Sequence, residues 1–78
     1  MTATTPDRIR LDSTPLAAVA YDDRHGELKL DFRDGARYTF SGVAPELFRN
    51  LLRATSKGSF FNRYIRGRFP YAKLPLEN

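Results

Sequence analysis

From Glu27 to Phe32 the chain alternates without a break, with Leu28, Leu30 and Phe32 at one parity and Glu27, Lys29 and Asp31 at the other. Side chains of a strand point to opposite faces in turn, so the pattern predicts a half-buried strand. Arg33-Asp34-Gly35-Ala36 comes next, and Asp-Gly between alternating stretches is tight-hairpin chemistry. A further strand runs through Ala36, Tyr38 and Phe40, with Arg37 and Thr39 turned the other way. Before Glu27, Leu16 to Tyr21 puts Val19 and Tyr21 at one parity. Ser13-Thr14-Pro15 marks its start, because proline is tolerated at a strand's first residue. Asp22-Asp23-Arg24-His25-Gly26 between them is a turn, with short acidic side chains and a glycine able to take positive φ. The sum is a three-stranded antiparallel meander with one apolar and one charged face. Lys29, Asp31, Arg33 and Arg37 are expected to pair across strands on the charged face.

After Ser41-Gly42 the period changes from two to that of a helix. Pro45 suits a first helical position, where its missing N–H is no loss. Val43 and Phe48 have the spacing of a hydrophobic staple. Leu47, Phe48, Leu51, Leu52 and Thr55 form an apolar stripe to lie on the sheet, while Arg49 and Arg53, with Lys57 next in line, occupy the other side. Gly58 is read as the stop of this helix, and Ser59 as the cap of a second running to about Arg66 and closed by Gly67 and Pro70. Phe61 and Ile65 share its core face, and Phe60 and Tyr64 share another, beside Arg63. Asn62 is read as an interior polar anchor where the helices meet. The expectation is an α+β fold: a three-stranded antiparallel meander with two C-terminal helices packed on one face. Residues 1–12 are expected to be a flexible N-terminal tail, residues 13–72 the single domain and residues 73–78 a C-terminal tail.

Seventy-eight residues allow one small domain. The absence of cysteine removes disulfides, thiolate chemistry and cysteine zinc sites, and fits a reducing compartment. No apolar run reaches the length of a membrane span, and the first residues lack the apolar region of a signal peptide, so a cytoplasmic location without membrane contact is expected. Charge is unevenly placed. Residues 1–40 hold six basic and seven acidic side chains, whereas residues 41–78 hold seven basic against Glu46 and Glu77. Such asymmetry suggests a face that meets phosphates or an acidic partner.

That excess is densest around Ser56-Lys57-Gly58-Ser59-Phe60-Phe61-Asn62-Arg63-Tyr64-Ile65-Arg66, where arginines interleave with rings. Phosphate pairing plus base stacking is how single-stranded nucleic acid is held. The candidate nucleic-acid-binding residues are therefore Arg49, Arg53, Lys57, Ser59, Phe60, Arg63, Tyr64 and Arg66. The competing reading makes the rings core and the cations a solvated helix face. Catalysis is disfavoured: the one histidine, His25, lies in a hairpin tip, and no serine has a base at a suggestive spacing. Asp22, Asp23 and His25 lack a third fixed ligand type for a metal. No cofactor, metal or small-molecule substrate is expected.

Ser13-x-x-Leu16, Val19-x-Tyr21-Asp22, Gly35-x-x-Tyr38-x-Phe40, Val43-x-Pro45 and Ser56-Lys57-Gly58-x-Phe60-Phe61-Asn62-x-x-Ile65-Arg66 together resemble the KTSC domain. That module is named for the C-terminus of some lysyl-tRNA synthetases and also occurs as a stand-alone bacterial protein. The resemblance covers about residues 13–71 and marks Tyr38, Phe40, Gly58, Phe61, Asn62 and Ile65 as its structural motif. It implies a compact α+β domain, for which RNA binding has been suggested. The family's Tyr-x-Tyr is Tyr38-Thr39-Phe40 here, losing a hydroxyl and keeping the ring, and its Val-Pro becomes Val43-Ala44-Pro45. Two functions are expected on these grounds. One is a non-enzymatic module that binds tRNA-like or single-stranded RNA through the basic, aromatic helical surface. The other is a protein-interaction or self-association module that uses an exposed sheet edge, with Tyr38 and Phe69-Pro70-Tyr71 as contacts.

Overall fold

The structure, a computed structural model, describes residues 9–12 and 15–74. Five antiparallel strands form one sheet in chain order: β1 (Ile9–Arg10), β2 (Leu16–Asp22), β3 (Glu27–Phe32), β4 (Arg37–Phe40) and β5 (Tyr71–Leu74). Between β4 and β5 come helix α1 (Pro45–Arg53) and helix α2 (Lys57–Phe60), which passes directly into a π turn, Phe61–Ile65. The meander appears where the alternation placed it, with Leu30 opposite both Val19 and Tyr38. Leu16 and Val19 have opposite parity, yet both are buried. A register shift between Leu16 and Ala18 resolves this, because the extra residue returns Leu16 to the face of its partner Phe32. Leu16, Val19, Leu28 and Leu30 then meet Leu51 of α1 and Ile65 of the π turn, all six with no exposure. On the other face Arg37 lies 3.7 Å from Asp31 and Lys29 4.0 Å from Glu27. Among the described residues no helix is long and apolar enough to cross a membrane.

Several expectations are corrected. The sheet has five strands rather than three, because short segments from both expected tails join its edges. Ile9 pairs with Val19, Leu11 N–H donates to Ala17 O at 2.9 Å and the Leu11 side chain is buried. At the other edge Tyr71 pairs with Phe40 and Leu74 with Arg37, so the expected boundary at residue 72 falls inside a strand. Two residues show no period, and Tyr71–Leu74 shows barely two, which is why neither edge was legible. The outer tails, residues 1–8 and 75–78, and Ser13-Thr14 of the expected strand start lie outside the described residues.

Gly58 does not stop α1, which ends at Arg53 with Ala54 N–H bonded to Leu51 O. It sits inside α2, against Pro15 at the start of β2, where a Cβ would come 2.7 Å from the proline Cγ. Its role is therefore close approach, not termination. Ser59 does not cap α2 either. Ser56 is the N-cap, its Oγ accepting from Ser59 N–H at 3.3 Å.

Candidate functional site

The helices cover the apolar face over β2 and β3, and β5 widens that face beyond their reach. Phe40 pairs with Tyr71 and Tyr38 with Lys73, and directly opposed residues share a face, so β5 sets a second aromatic ring and a cation beside those of β4. Tyr38 lies 5.4 Å from Phe32, 6.0 Å from Phe40 and 5.5 Å from Tyr71, centroid to centroid. Tyr71 closes the set at 5.6 Å from Phe40. From the helical side Phe61 stands edge-on to Phe32 at 5.3 Å and to Phe40 at 5.7 Å.

The result is an open groove of about 460 Å³ between the π turn and the β4–β5 face. Phe32, Tyr38, Phe40, Phe61 and Tyr71 line it, with Asp34 from the β3–β4 turn and Asn62 and Arg66 from the π turn. Phe40 is 3% exposed and belongs to the core, whereas Tyr71 is 59% exposed and offers its ring to solvent. Lys73 Nζ stands 5.9 Å from the Tyr38 ring centroid.

The π turn aims Asn62 and Arg66. Arg66 N–H closes back on Phe61 O, five residues earlier, at 2.8 Å. The extra residue per turn rotates the side chains beyond it, and such turns recur at functional sites. Arg66 Nη1 donates to Asn62 Oδ1 at 3.4 Å, so Asn62 is exposed on the groove rim rather than buried as an interior anchor. A second hollow of about 450 Å³, lined by Asp12, Thr55, Ser56, Lys57 and Ser59, adjoins the first across Pro15, Gly58 and Asn62. There Lys57 Nζ donates to Ala54 O at 2.9 Å, placing its charge on the C-terminal carbonyls of α1, where the helix dipole favours a cation.

The opposite end of the sheet, at the β2–β3 hairpin, is polar and acidic. Tyr21 stacks on Phe48 at 5.0 Å and its hydroxyl donates to Val43 O at 2.6 Å. Burial and then the Asp23 carboxylate push this hydroxyl above its ordinary range, and Arg49 partly counters them. Asp22 Oδ2 lies 2.8 Å from His25 Nδ1, and this hydrogen bond is the main reason its carboxyl titrates below the ordinary range.

The chain matches the family model of the KTSC domain over residues 12–69. It belongs to the KTSC domain family. Two small relatives agree: an uncharacterized protein of Stutzerimonas stutzeri is 36% identical over 59 residues, covering 76% of this chain and 83% of that one. A protein of Tsukamurella paurometabola is 39% identical over 59 residues, covering 76% and 88%. A lysine–tRNA ligase of Nostoc punctiforme is 27% identical over 66 residues, 85% of this chain but 12% of that enzyme. The crystal structure of a KTSC domain protein from Yersinia pestis superposes with a TM-score of 0.86 at 30% identity, covering 88% of this chain and 97% of the other.

In this KTSC domain the Tyr-x-Tyr pattern becomes a pair of same-face positions of β4 on the groove floor, with Thr39 between them on the far face. The second ring is so deeply packed that Phe40 serves without a hydroxyl. The candidate residues from the sequence divide. Arg66 lines the groove, and Lys57 and Ser59 line the adjoining hollow. Phe60 and Tyr64 line neither; their rings meet at 4.7 Å, tilted by 44° to each other, with Phe60 against the core and Tyr64 45% exposed. Arg53 and Arg63 are exposed outside both hollows, and Arg49 lies by the acidic hairpin near Tyr21. Arg68, not among the sequence candidates, donates from Nε to Arg63 O at 3.0 Å and closes the π turn. Sequence reasoning also missed Phe32, Asp34 and Lys73 as groove-side residues; the alternation of Tyr71-Ala72-Lys73-Leu74 was the signal available for the last.

Proposed function

We propose that this KTSC domain is a non-catalytic module that binds single-stranded nucleic acid, RNA in the first instance, in the β4–β5 groove. The observation that carries the reading is the exposed Tyr71 ring set beside Tyr38 on a sheet face, with Lys73 against the Tyr38 ring and Arg66 lining the same groove. A sheet face bearing rings with cations beside them offers bases a stacking surface and phosphates a charge. The similarity of the chain to a segment of a lysine–tRNA ligase supports a partner of this class.

The test is binding of single-stranded RNA and tRNA as salt is varied. Affinity is expected to fall with salt at a logarithmic slope of about −0.7 per phosphate neutralised on a single strand. Tyr71→Ala is expected to weaken binding by about 1–3 kcal/mol, the cost of one lost stacking ring. Absence of binding at low salt, or full affinity in Tyr71→Ala, contradicts the reading. A second reading is strand addition at the outer edge of β5, favoured by the exposure of all four residues from Tyr71 to Leu74. It predicts a dimer or a peptide complex, sensitive to an Ala72→Pro change and indifferent to salt.

A further inference from the structure

Besides its rings, the groove is lined by one carboxylate and one guanidinium, and that combination is narrower than a nucleic-acid surface requires. Asp34 Oδ1 accepts from Ala36 N–H at 3.0 Å, which fixes the carboxylate at the groove's turn end. Each carboxylate oxygen accepts through two lone pairs, so this bond leaves the group able to receive further donors. Arg66 lines the groove from the π turn and spends one donor on Asn62. A guanidinium has five.

Phosphates repel a carboxylate, so Asp34 in a groove for nucleic acid needs a base to answer it. Guanine alone among the four bases presents two adjacent N–H donors, at N1 and the 2-amino group, converging as a carboxylate requires. On a neighbouring edge it presents two acceptors, O6 and N7, which arginine reads bidentately. Adenine and cytosine mix donor and acceptor on their pairing edges, and uracil offers one donor between two acceptors. We infer that the groove selects guanine, with Asp34 receiving N1–H and the 2-amino group, Arg66 donating to O6 and N7, and the ring stacked on Tyr71. Lys73 and Lys57 then serve the flanking phosphates. This inference rests on the nucleic-acid reading above and adds to it a base identity.

The experiment is an amide-shift titration with hexauridylate, the same oligomer with one central guanosine, and the same with inosine in its place. Guanosine is expected to bind about tenfold or more tightly than hexauridylate, as one good bidentate contact implies. Inosine, lacking the 2-amino group, is expected to lose most of that gain. Asp34→Asn keeps an acceptor for Ala36 N–H, so the turn survives. The variant's ratio of guanosine-oligomer to hexauridylate affinity is expected to fall to about one, with hexauridylate itself bound no more weakly, because a charge that repels phosphate has been removed. Equal affinity of the three oligomers for the wild-type protein, or an undiminished guanosine advantage in Asp34→Asn, overturns the selectivity alone. Binding of none of them overturns the nucleic-acid reading and the selectivity together.

Discussion

Single atoms decide several features of this domain. A methyl at residue 58 would stand 2.7 Å from the rigid Pro15 ring, closer than packed carbons approach. Gly58→Ala is therefore expected to destabilise the protein by about 1–3 kcal/mol in urea unfolding, despite alanine's higher helix propensity. In a double-mutant cycle Pro15→Ala should recover much of that loss; additive losses would contradict the contact. At the hairpin, His25 holds the Asp22 carboxyl below its ordinary value of 3.8. The folded protein thus favours the ionised form. The contribution is complete above that ordinary value and is lost as pH falls through the lower folded one. A carboxyl-detected NMR titration of His25→Ala should show the Asp22 midpoint rise; an unmoved midpoint would mean the hydrogen bond is not the cause.

Among the elements, the helix starts and the sheet edges separate what the sequence displays from what it hides. Ser56→Ala is expected to cost about 1 kcal/mol in stability as a lost N-cap, whereas Ser59→Ala, which leaves that backbone bond intact, should cost much less. The reverse order in thermal unfolding would restore Ser59 as the cap. Glu27–Phe32 was legible because six alternating residues and an Asp-Gly turn leave one interpretation, and Pro45 fixed the start of α1. The second helix was displaced by three residues because Ser56 and Ser59 are equally good caps by residue type. What separates them is the packing of Gly58 on Pro15, a contact 43 positions away in sequence. The groove was illegible for the same reason. Its floor joins Tyr38 to Tyr71 through a strand pair whose second member carries almost no periodic signal. The aromatic and basic content was visible, but Phe60 and Tyr64 looked as available as Tyr71. Only the placement of β5 tells them apart.

For the whole molecule, the meander sets two ends apart. One carries Asp22, Asp23 and His25 with Arg49 nearby, and the other carries the ringed groove with Arg66 and Lys73. Function and stability are separable at this second end, because Tyr71 is 59% exposed. Tyr71→Ala is expected to unfold within about 1 kcal/mol of the wild type, as exposed substitutions do, while losing most RNA affinity. A similar loss of both would mean the ring serves the core. The most direct measurement is an amide-shift map of the domain titrated with single-stranded RNA at low salt. The predicted result is a contiguous set of shifts at Asp34, Tyr38, Asn62, Arg66, Tyr71 and Lys73, with Arg49 and Arg53 unmoved. Shifts confined to the outer face of α1, or none at all, would contradict it.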